Sequence, residues 1–467
     1  MLVRLDFSTT LSLLLLLLLV GSSRAQVGVN WGTQVSHPLH APSVVKMLQK
    51  NSFTRVKMFD TDASVLHALA GSNIEVMVGI PNTMLETLSS SMHAARNWVE
   101  SNVTWYLKYP KRRVDIRYVA VGEEPLHDVR LDAVVGAVKN IRAALDKQTR
   151  TRDIKTTIPF SAGIVTSNSF TPSTGNFIRP DEMKTILELL SDSKSPFTVN
   201  IHPFISSVKD PSFPLDFAFF DGDFPFQQDQ GNNYTNAFDA IFDTVVSALK
   251  QAGFPDMPII VGGTGWPTDC NLQANPQNAE RFNQGLVKRI ESSRGTPLRP
   301  GQLHAYIFSL VDEDRKKPGY ERHWGIFQYD GTRKYGLTLL GARELENVPD
   351  VEYMPARWCV SNDATDGLEQ RINATCQQVD CSPLFEGGSC NFLTVSERAS
   401  YAFNSNYQLN DQATSSCDPE FGRVVRDDPS HGNCRFMRQI VVNSAERERL
   451  CRNVLAFVWL TLSMLFI

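Results

Sequence analysis

The segment PIIVGGTGWP, residues 258–267, is a β-branched apolar run that ends in glycines, a tryptophan and a proline. This composition predicts a buried strand with a sharp end. Apolar strands that alternate with helices pair in parallel and are covered on both faces. Helical patterns such as APSVVKMLQKN separate this segment from seven other apolar runs, at residues 27–32, 55–60, 74–80, 116–124, 155–160, 197–204 and 303–310.

Eight such strands within residues 26–340 predict an α/β fold, a (β/α)8 TIM barrel whose functional residues follow the carboxyl ends of the strands. A doubly wound open sheet is the alternative. That fold favours a glycine-rich phosphate loop after its first strand. The chain has VNWGTQVSH at this place, which is no such loop. We therefore expect the barrel.

The charge balance narrows the choice of partners. The chain has 46 basic and 50 acidic residues and a net charge of −4, which argues against nucleic acid as a partner. No motif for a cofactor is present, and no CxxC pair or paired histidines suggest a metal site. We expect a monomer without metal or cofactor.

The two ends of the chain have the composition of targeting signals. Residues 1–25 combine a basic start, an apolar core and a cleavage site after Ala25, which predicts a secretory signal peptide. Residues 438–467 combine small residues, a polar spacer and an apolar tail, which predicts a GPI-anchor signal with attachment at Ser444. A short membrane helix is the alternative for the tail. The expected location is the outer face of the plasma membrane and the cell wall.

Secretion makes the eight cysteines informative. Six of them fall within residues 357–437, after a polar linker at 341–356, and predict a small disulfide-rich domain. Of the other two, Cys451 lies in the predicted removable tail and Cys270 is left as an unpaired thiol. Three sequons predict glycosylation, at Asn102, Asn233 and Asn373.

Carboxylates and aromatic residues follow several predicted strands. Retaining glycosidases need two carboxyl groups roughly 5–5.5 Å apart, and aromatic rings stack on sugars. This combination at one barrel mouth favours carbohydrate chemistry, although a single acid after a strand is usually a solvated loop residue. The candidate residues are Glu123 and Glu124 after the fourth strand, His202 after the sixth, Trp266 after the seventh, and Glu313, Lys316, Glu321 and Trp324 after the eighth.

Specific motifs give the chain a family resemblance. VGVNWGT, VKMFDTD, IRYVAVGEEP, FTVNIHPF, GWPTD and ERHWGIFQYDG resemble plant endo-β-1,3-glucanases of glycoside hydrolase family 17 over residues 27–340. WCV, DCS, GGSC, YAFNS and GNCRF resemble the X8-type, family-43 carbohydrate-binding module. The resemblance implies endo-hydrolysis, with retention, of callose- or laminarin-type β-1,3-glucan. It also implies the disulfides Cys359–Cys417, Cys376–Cys381 and Cys390–Cys434.

Carried over position by position, the family roles match only in part. Glu124 matches the proton donor, and Glu313, Lys316 and Glu321 match the supporting residues. Gly263 stands where the family has its nucleophilic glutamate, His202 where it has a tyrosine, and Glu123 where it has an asparagine. We expect like-charge repulsion from Glu123 to raise the pKa of Glu124, or the pKa of Glu123 to be raised instead.

These departures leave three hypotheses open. The chain is a glucanase with a displaced nucleophile, such as Glu313 or Glu123, or with a water in its place. In the second hypothesis the chain is a non-catalytic β-1,3-glucan-binding protein of the wall. In the third it is a structural wall protein whose cleft binds nothing. The sequence alone does not decide among them.

Overall fold

The computed structural model describes residues 27–108, 112–168, 171–223, 226–339, 343–362 and 367–442. The predicted signal peptide, Ser444 and the apolar tail lie outside these residues. None of the helices within the described ranges is long and apolar enough to cross a membrane.

Eight parallel strands form the predicted barrel. The last strand pairs with the first. The fifth strand has two segments, one on each side of Ile158, which pair with the fourth and with the sixth strand, so the sheet closes on itself. The (β/α)8 prediction is confirmed. The strands are β1 (Val27–Trp31), β2 (Arg55–Met58), β3 (Glu75–Ile80), β4 (Asp115–Val121), β5 (Lys155–Thr157 and Pro159–Ser161), β6 (Phe197–Asn200), β7 (Ile259–Thr264) and β8 (Ala305–Ile307).

Amphipathic helices cover the barrel. Most of their first turns are stabilised by side chains that accept the free backbone N–H groups, as Asp62 does for Ser64 and Val65, or by prolines, which lack a backbone N–H group. The helices are α1 (Ala41–Lys50), α2 (Ala63–Leu69), α3 (Leu85–Ser90), α4 (Met92–Val99), α5 (Leu131–Asp146), α6 (Pro180–Asp192), α7 (Pro203–Lys209), α8 (Ala237–Gln251) and α9 (Pro276–Glu291).

The interior of the barrel is filled by side chains. Met77, Ala120, Ile260 and Tyr306 form a buried cluster there. Gly28 is required beside them, because a Cβ at this residue would lie 2.4 Å from the Tyr306 ring. The barrel is therefore a packed core, and only its mouth is open for chemistry.

A second, small hydrophobic core belongs to the cysteine-rich domain. Strands β9 (Trp358–Ser361) and β10 (Gly422–Val425) pair antiparallel beside helices α10 (Leu368–Cys376) and α11 (Val395–Leu409). A small core of this kind depends on covalent cross-links. The structure has three of them, and they are the pairs that the resemblance implies: Cys359–Cys417, Cys376–Cys381 and Cys390–Cys434.

The cysteine-rich domain packs against loops at the mouth of the barrel. Ser389 donates from its backbone N and its Oγ to Asp269, after β7, at 2.8 and 2.6 Å. His37, after β1, lies 3.2 Å from Asp411. A cavity of about 650 Å³ opens between the two domains, and its lining includes Asp312 and Arg322.

The segment between the two domains differs from the free polar linker that its sequence suggests. Leu345 and Val348 are buried and belong to the barrel's hydrophobic core. Arg343–Glu344 pairs with Thr338–Leu339 as a short antiparallel ladder. Isolated apolar residues in a polar stretch were enough to bring this segment onto the barrel surface.

Candidate active site

The two acids at the end of β4 are held by an unusual backbone. Gly122 and Glu124 both have positive φ, 82° and 47°, which a residue other than glycine seldom adopts and which marks functional sites. The Asn82 side chain donates to the backbone O of Glu123 and accepts from its N, both at 2.9 Å. This frame delivers both carboxylates to the barrel mouth.

The amide of Asn200, at the end of β6, joins the two carboxylates. Its Nδ2 lies 2.8 Å from Oε1 of Glu123 and 2.8 Å from Oε1 of Glu124. The Oε1 atoms of Glu123 and Glu124 therefore lie no more than twice 2.8 Å from each other. The other oxygen of Glu123 accepts from Lys57 Nζ at 2.8 Å, and the Lys57 side chain is only 1% exposed.

The environment of Glu124 favours its protonated form. Burial raises the pKa of Glu124, the Asn200 hydrogen bond opposes the rise, and repulsion from Glu123 adds to it. The like-charge effect predicted from the sequence is therefore present at Glu124, as a smaller contribution than burial. About a third of the side chain is exposed, so Glu124 can reach a bound substrate as a general acid.

Gly263 lies directly beside this network. It pairs with Asn200 across β7 and β6, next to an irregularity in the register. A Cβ at Gly263 would lie 3.5 Å from Asn200 Oδ1 and 3.6 Å from Asn30 Nδ2, which are ordinary contacts. The neighbouring glycines are different, since a Cβ would lie 2.8 Å from Asn200 at Gly262 and 1.9 Å from Phe308 O at Gly265. Of these three positions, only 263 would accept a Cβ without a close contact.

His202 packs into an aromatic cluster beside this strand end. Its ring centroid lies 5.5 Å from that of Phe308 and 5.0 Å from that of Trp324. Burial, together with the charges of Lys57 and Lys316, lowers the pKa of His202 to about 3. The imidazole is therefore neutral at physiological pH and is a weak base.

The supporting residues lie on the loop after β8. Glu313 is 2% exposed, its Oε2 lies 2.5 Å from Lys316 Nζ, and its Oε1 accepts from the backbone N of Gln34 at 3.1 Å. Glu321 lies on the partly exposed helical turn Tyr320–Arg322, and the backbone O of Arg322 accepts from the backbone N of Glu313 at 3.2 Å. Glu313 thus fixes Lys316 and the loop after β1.

The prediction that Trp266 offers a sugar-binding surface is wrong. Trp266 is fully buried, packs against Phe204, Phe219 and Phe282, and donates its Nε1 to the backbone O of Gln273. Trp324 is also buried. Trp266 and Trp324 each follow the end of a strand, but side chains such as Phe204, on the helix that follows β6, pack over both rings.

Two other rings are partly exposed at the mouth, those of Phe59 and Phe308. Lys57 Nζ lies 4.2 Å from the Phe59 centroid and Lys316 Nζ 4.4 Å from the Phe308 centroid. Four residues at the mouth were not predicted from the sequence as site residues, namely Lys57, Phe59, Asn200 and Phe308. A lysine in the apolar run RVKMFD was the signal that could have identified Lys57.

The unpaired Cys270 lies at the joint between the two domains. Its thiol, a carboxylate oxygen of Asp269 and a ring nitrogen of His323 lie within 4.8 Å of one another. Although burial opposes it, hydrogen bonding to Asp312 and Cys270 raises the pKa of His323 to about 10. Asp312 Oδ2 lies 3.9 Å from His323 Nδ1, so an ion pair joins this cluster to the loop after β8.

The three sequon asparagines differ in accessibility. Asn233 and Asn373 are exposed. Asn102 is partly buried, and its Nδ2, the atom that glycosylation modifies, donates to the backbone O of Trp98 at 2.9 Å.

Comparisons with known proteins agree with this geometry. The family described as "Glycosyl hydrolases family 17" matches residues 27–339, and "X8 domain" matches residues 357–421. The Arabidopsis thaliana protein "Glucan endo-1,3-beta-glucosidase 5" is 43% identical over 90% of this chain and 89% of its own length. "Glucan endo-1,3-beta-glucosidase 8" of the same plant is 41% identical over 94% of both chains. The structure of CJP38, a β-1,3-glucanase and allergen of Cryptomeria japonica pollen, has a TM-score of 0.64 at 36% identity, covering 68% of this chain and all of its own.

Proposed function

Because the chain belongs to glycosyl hydrolase family 17 and carries an X8 domain, we propose that it binds β-1,3-glucan without hydrolysing it by the family's double displacement. The observation that carries the proposal is Gly263, which leaves β7 without a carboxylate where the resemblance implies the nucleophile. Loss of such a nucleophile costs on the order of 10⁶ in rate, or about 8 kcal/mol.

Neither acid that the sequence offers as a displaced nucleophile is suitably placed. Glu313 is buried and held by Lys316 and by Gln34 N. Glu123 is partly exposed, but it accepts from the same Asn200 nitrogen as Glu124. A retaining glycosidase needs its nucleophile on the face of the sugar opposite the leaving oxygen. Because Glu123 and Glu124 are adjacent and both accept from Asn200 Nδ2, their carboxylates approach a bound sugar from the same side.

Several features support glucan as the ligand. The relatives that align over nine-tenths of the chain carry the name glucan endo-1,3-beta-glucosidase. Phe59 and Phe308 are partly exposed beside the acids, and aromatic faces of this kind stack on sugar rings. The X8 domain, as a carbohydrate-binding module fixed at the barrel mouth, supplies a second contact with the same polymer.

A binding assay tests this proposal. We expect the native chain to be retained by laminarin and retarded in gels that contain it, and Phe308→Ala to weaken that retention. Trp105→Ala is the matched control, because it also truncates an exposed aromatic side chain and lies on the helical turn Trp105–Leu107, ahead of the amino end of β4. Absence of binding to laminarin would favour the structural wall protein. Rapid release of reducing ends would favour the displaced nucleophile.

We also propose the organisation that follows from the targeting signals. Residues 1–25 are a signal peptide, 26–340 the barrel, 341–356 the connecting segment and 357–437 the carbohydrate-binding module. Residues 438–467 are a GPI signal with attachment at Ser444, which holds a glycosylated monomer on the outer face of the plasma membrane. Release of the protein from membranes by a GPI-specific phospholipase is the expected result. Ser444→Leu should prevent membrane retention.

A further inference from the structure

Three side chains of different chemistry meet where the cysteine-rich domain packs on the barrel. A carboxylate oxygen of Asp269, the thiol of Cys270 and a ring nitrogen of His323 lie within 4.8 Å of one another, and all three residues are partly buried. Carboxylate, thiolate and imidazole are the ligand types of zinc sites in proteins. The spacing of the sequence does not reveal this group, because Asp269 and Cys270 follow β7 whereas His323 follows β8.

The donor atoms are close to the spacing that zinc requires. In a tetrahedral site with bonds of about 2.0–2.3 Å, neighbouring donor atoms lie about 3.5 Å apart. The three donors here span at most 4.8 Å, so they need to approach one another by roughly 1 Å or less. Nε2 of His323 is buried and has no hydrogen-bond partner among the described residues. The imidazole therefore has a nitrogen that a metal ion would satisfy.

The residues around these donors supply the outer partners that zinc ligands usually have. Asp312 Oδ2 lies 3.9 Å from His323 Nδ1, and Asp380 Oδ2 lies 3.7 Å from His323 Nε2. Asp269 accepts from the backbone N and the Oγ of Ser389 at 2.8 and 2.6 Å. Asp380 and Ser389 belong to the cysteine-rich domain, so both domains contribute to the surroundings of the site.

The charges are suited to a divalent cation. Asp269 accepts only from uncharged donors, Ser389 and the backbone N of Cys270, so hydrogen bonding leaves its negative charge in place. In the absence of metal, the pKa of His323 is about 10, and its imidazolium balances that charge. Zinc would replace the ring proton and the thiol proton. One carboxylate, one thiolate and one zinc ion are again neutral together, so the exchange does not charge the joint.

We propose that Asp269, Cys270 and His323 form a zinc site, which fixes the loops after β7 and β8 beneath the cysteine-rich domain. Water completes the coordination. The cavity of about 650 Å³ between the domains, whose lining includes His323, gives the ion a route from solvent. The inference does not rest on the proposed function, because neither the acids after β4 nor the glucan takes part.

Cobalt(II) is the probe that tests this site. A tetrahedral cobalt ion bound by a thiolate has ligand-field bands in the visible and a thiolate-to-cobalt charge-transfer band in the near ultraviolet. The full-length secreted protein, with its free thiol confirmed by titration, is treated with EDTA, freed of EDTA and titrated with cobalt. No reductant is added, because it would open the disulfides. We expect a single cobalt ion per chain, both kinds of band, and their loss when zinc is added. Binding should weaken as pH falls, since protons leave both ligands.

Variants of the ligands identify the donors. Cys270→Ser should lose the charge-transfer band, and it and His323→Gln should each weaken zinc binding at least about tenfold. His93→Gln, at an exposed position on α4, is the matched control and should bind zinc as the native chain does. Zinc should raise the melting temperature of the native protein but not that of Cys270→Ser. In EDTA the two proteins should melt alike, which also shows that the variant is folded.

Three results would contradict the site. The native chain binds no cobalt, or the cobalt spectrum is unchanged in Cys270→Ser, or calcium and magnesium stabilise the native protein as much as zinc does. None of them affects the proposed function, because retention by laminarin is measured separately and in EDTA.

Discussion

Lys57 Nζ lies 2.8 Å from Glu123 Oε2 within the barrel mouth, and the lysine is almost fully buried. A buried ammonium group needs a counter-charge. The resemblance implies asparagine at 123 and glutamate at 263, whereas this chain has glutamate at 123 and glycine at 263. Compared with the pattern that the resemblance implies, this chain has one carboxylate more at the end of β4 and one fewer at the end of β7, so the formal charge of the two positions together is the same.

The first prediction concerns this ion pair. Glu123→Gln should lower the free energy of unfolding by about 2–3 kcal/mol, somewhat less than for a fully buried pair, because Glu123 is one-third exposed. Urea unfolding measures the change. The double variant Lys57→Met/Glu123→Gln should recover most of it, since no unpaired charge is left. A Glu123→Gln protein as stable as the native one would show that Lys57 does not depend on Glu123.

The second prediction concerns restoration of the nucleophile. Gly263→Glu should gain hydrolysis of laminarin with retention, because the Cβ fits and Glu124 is in place. The gain should be larger when Glu123→Asn accompanies it, since two carboxylates would otherwise compete for Lys57 and Asn200. His202→Tyr should raise the rate further, and the effects should not be additive. A folded, laminarin-binding Gly263→Glu/Glu123→Asn protein without turnover would contradict the role given to position 263.

The third prediction is a pH dependence of stability. The pKa of His202 is about 3 in the native protein, against 6.5 for an ordinary imidazole. Between these values the unfolded chain binds a proton at His202 that the native chain does not, so His202 removes stability as pH falls from 6.5. We expect His202→Phe to gain stability relative to the native protein on acidification below pH 6.5. Above pH 7 the difference should be constant. A difference that does not vary with pH would contradict the buried, neutral state of His202.

The fourth prediction concerns the carbohydrate-binding module. Cys390→Ser/Cys434→Ser should destabilise the module by about 2–5 kcal/mol and weaken retention by laminarin, while the barrel unfolds as before. Differential scanning calorimetry separates the two transitions. Cys270→Ser is the matched control, because Cys270 forms no disulfide. Equal behaviour of the two variants would mean that the disulfide contributes little to the module.

The sequence predicted the strands well, because buried parallel strands are continuous apolar runs. It also identified Glu124 and Gly263 through the motifs that contain them. It misjudged Trp266, because position at a strand end does not reveal whether neighbouring elements enclose a ring. Lys57 and Asn200 come from two different strands, and only the closed barrel brings them beside Glu123.

The most direct test of the central claim is reducing-end release from laminarin by the native protein, beside Glu124→Gln. We predict that both proteins bind laminarin and that their rates of release are indistinguishable. Native turnover in the usual range of roughly 1–10³ s⁻¹, abolished by Glu124→Gln, would contradict the account and show that another group supplies the nucleophile.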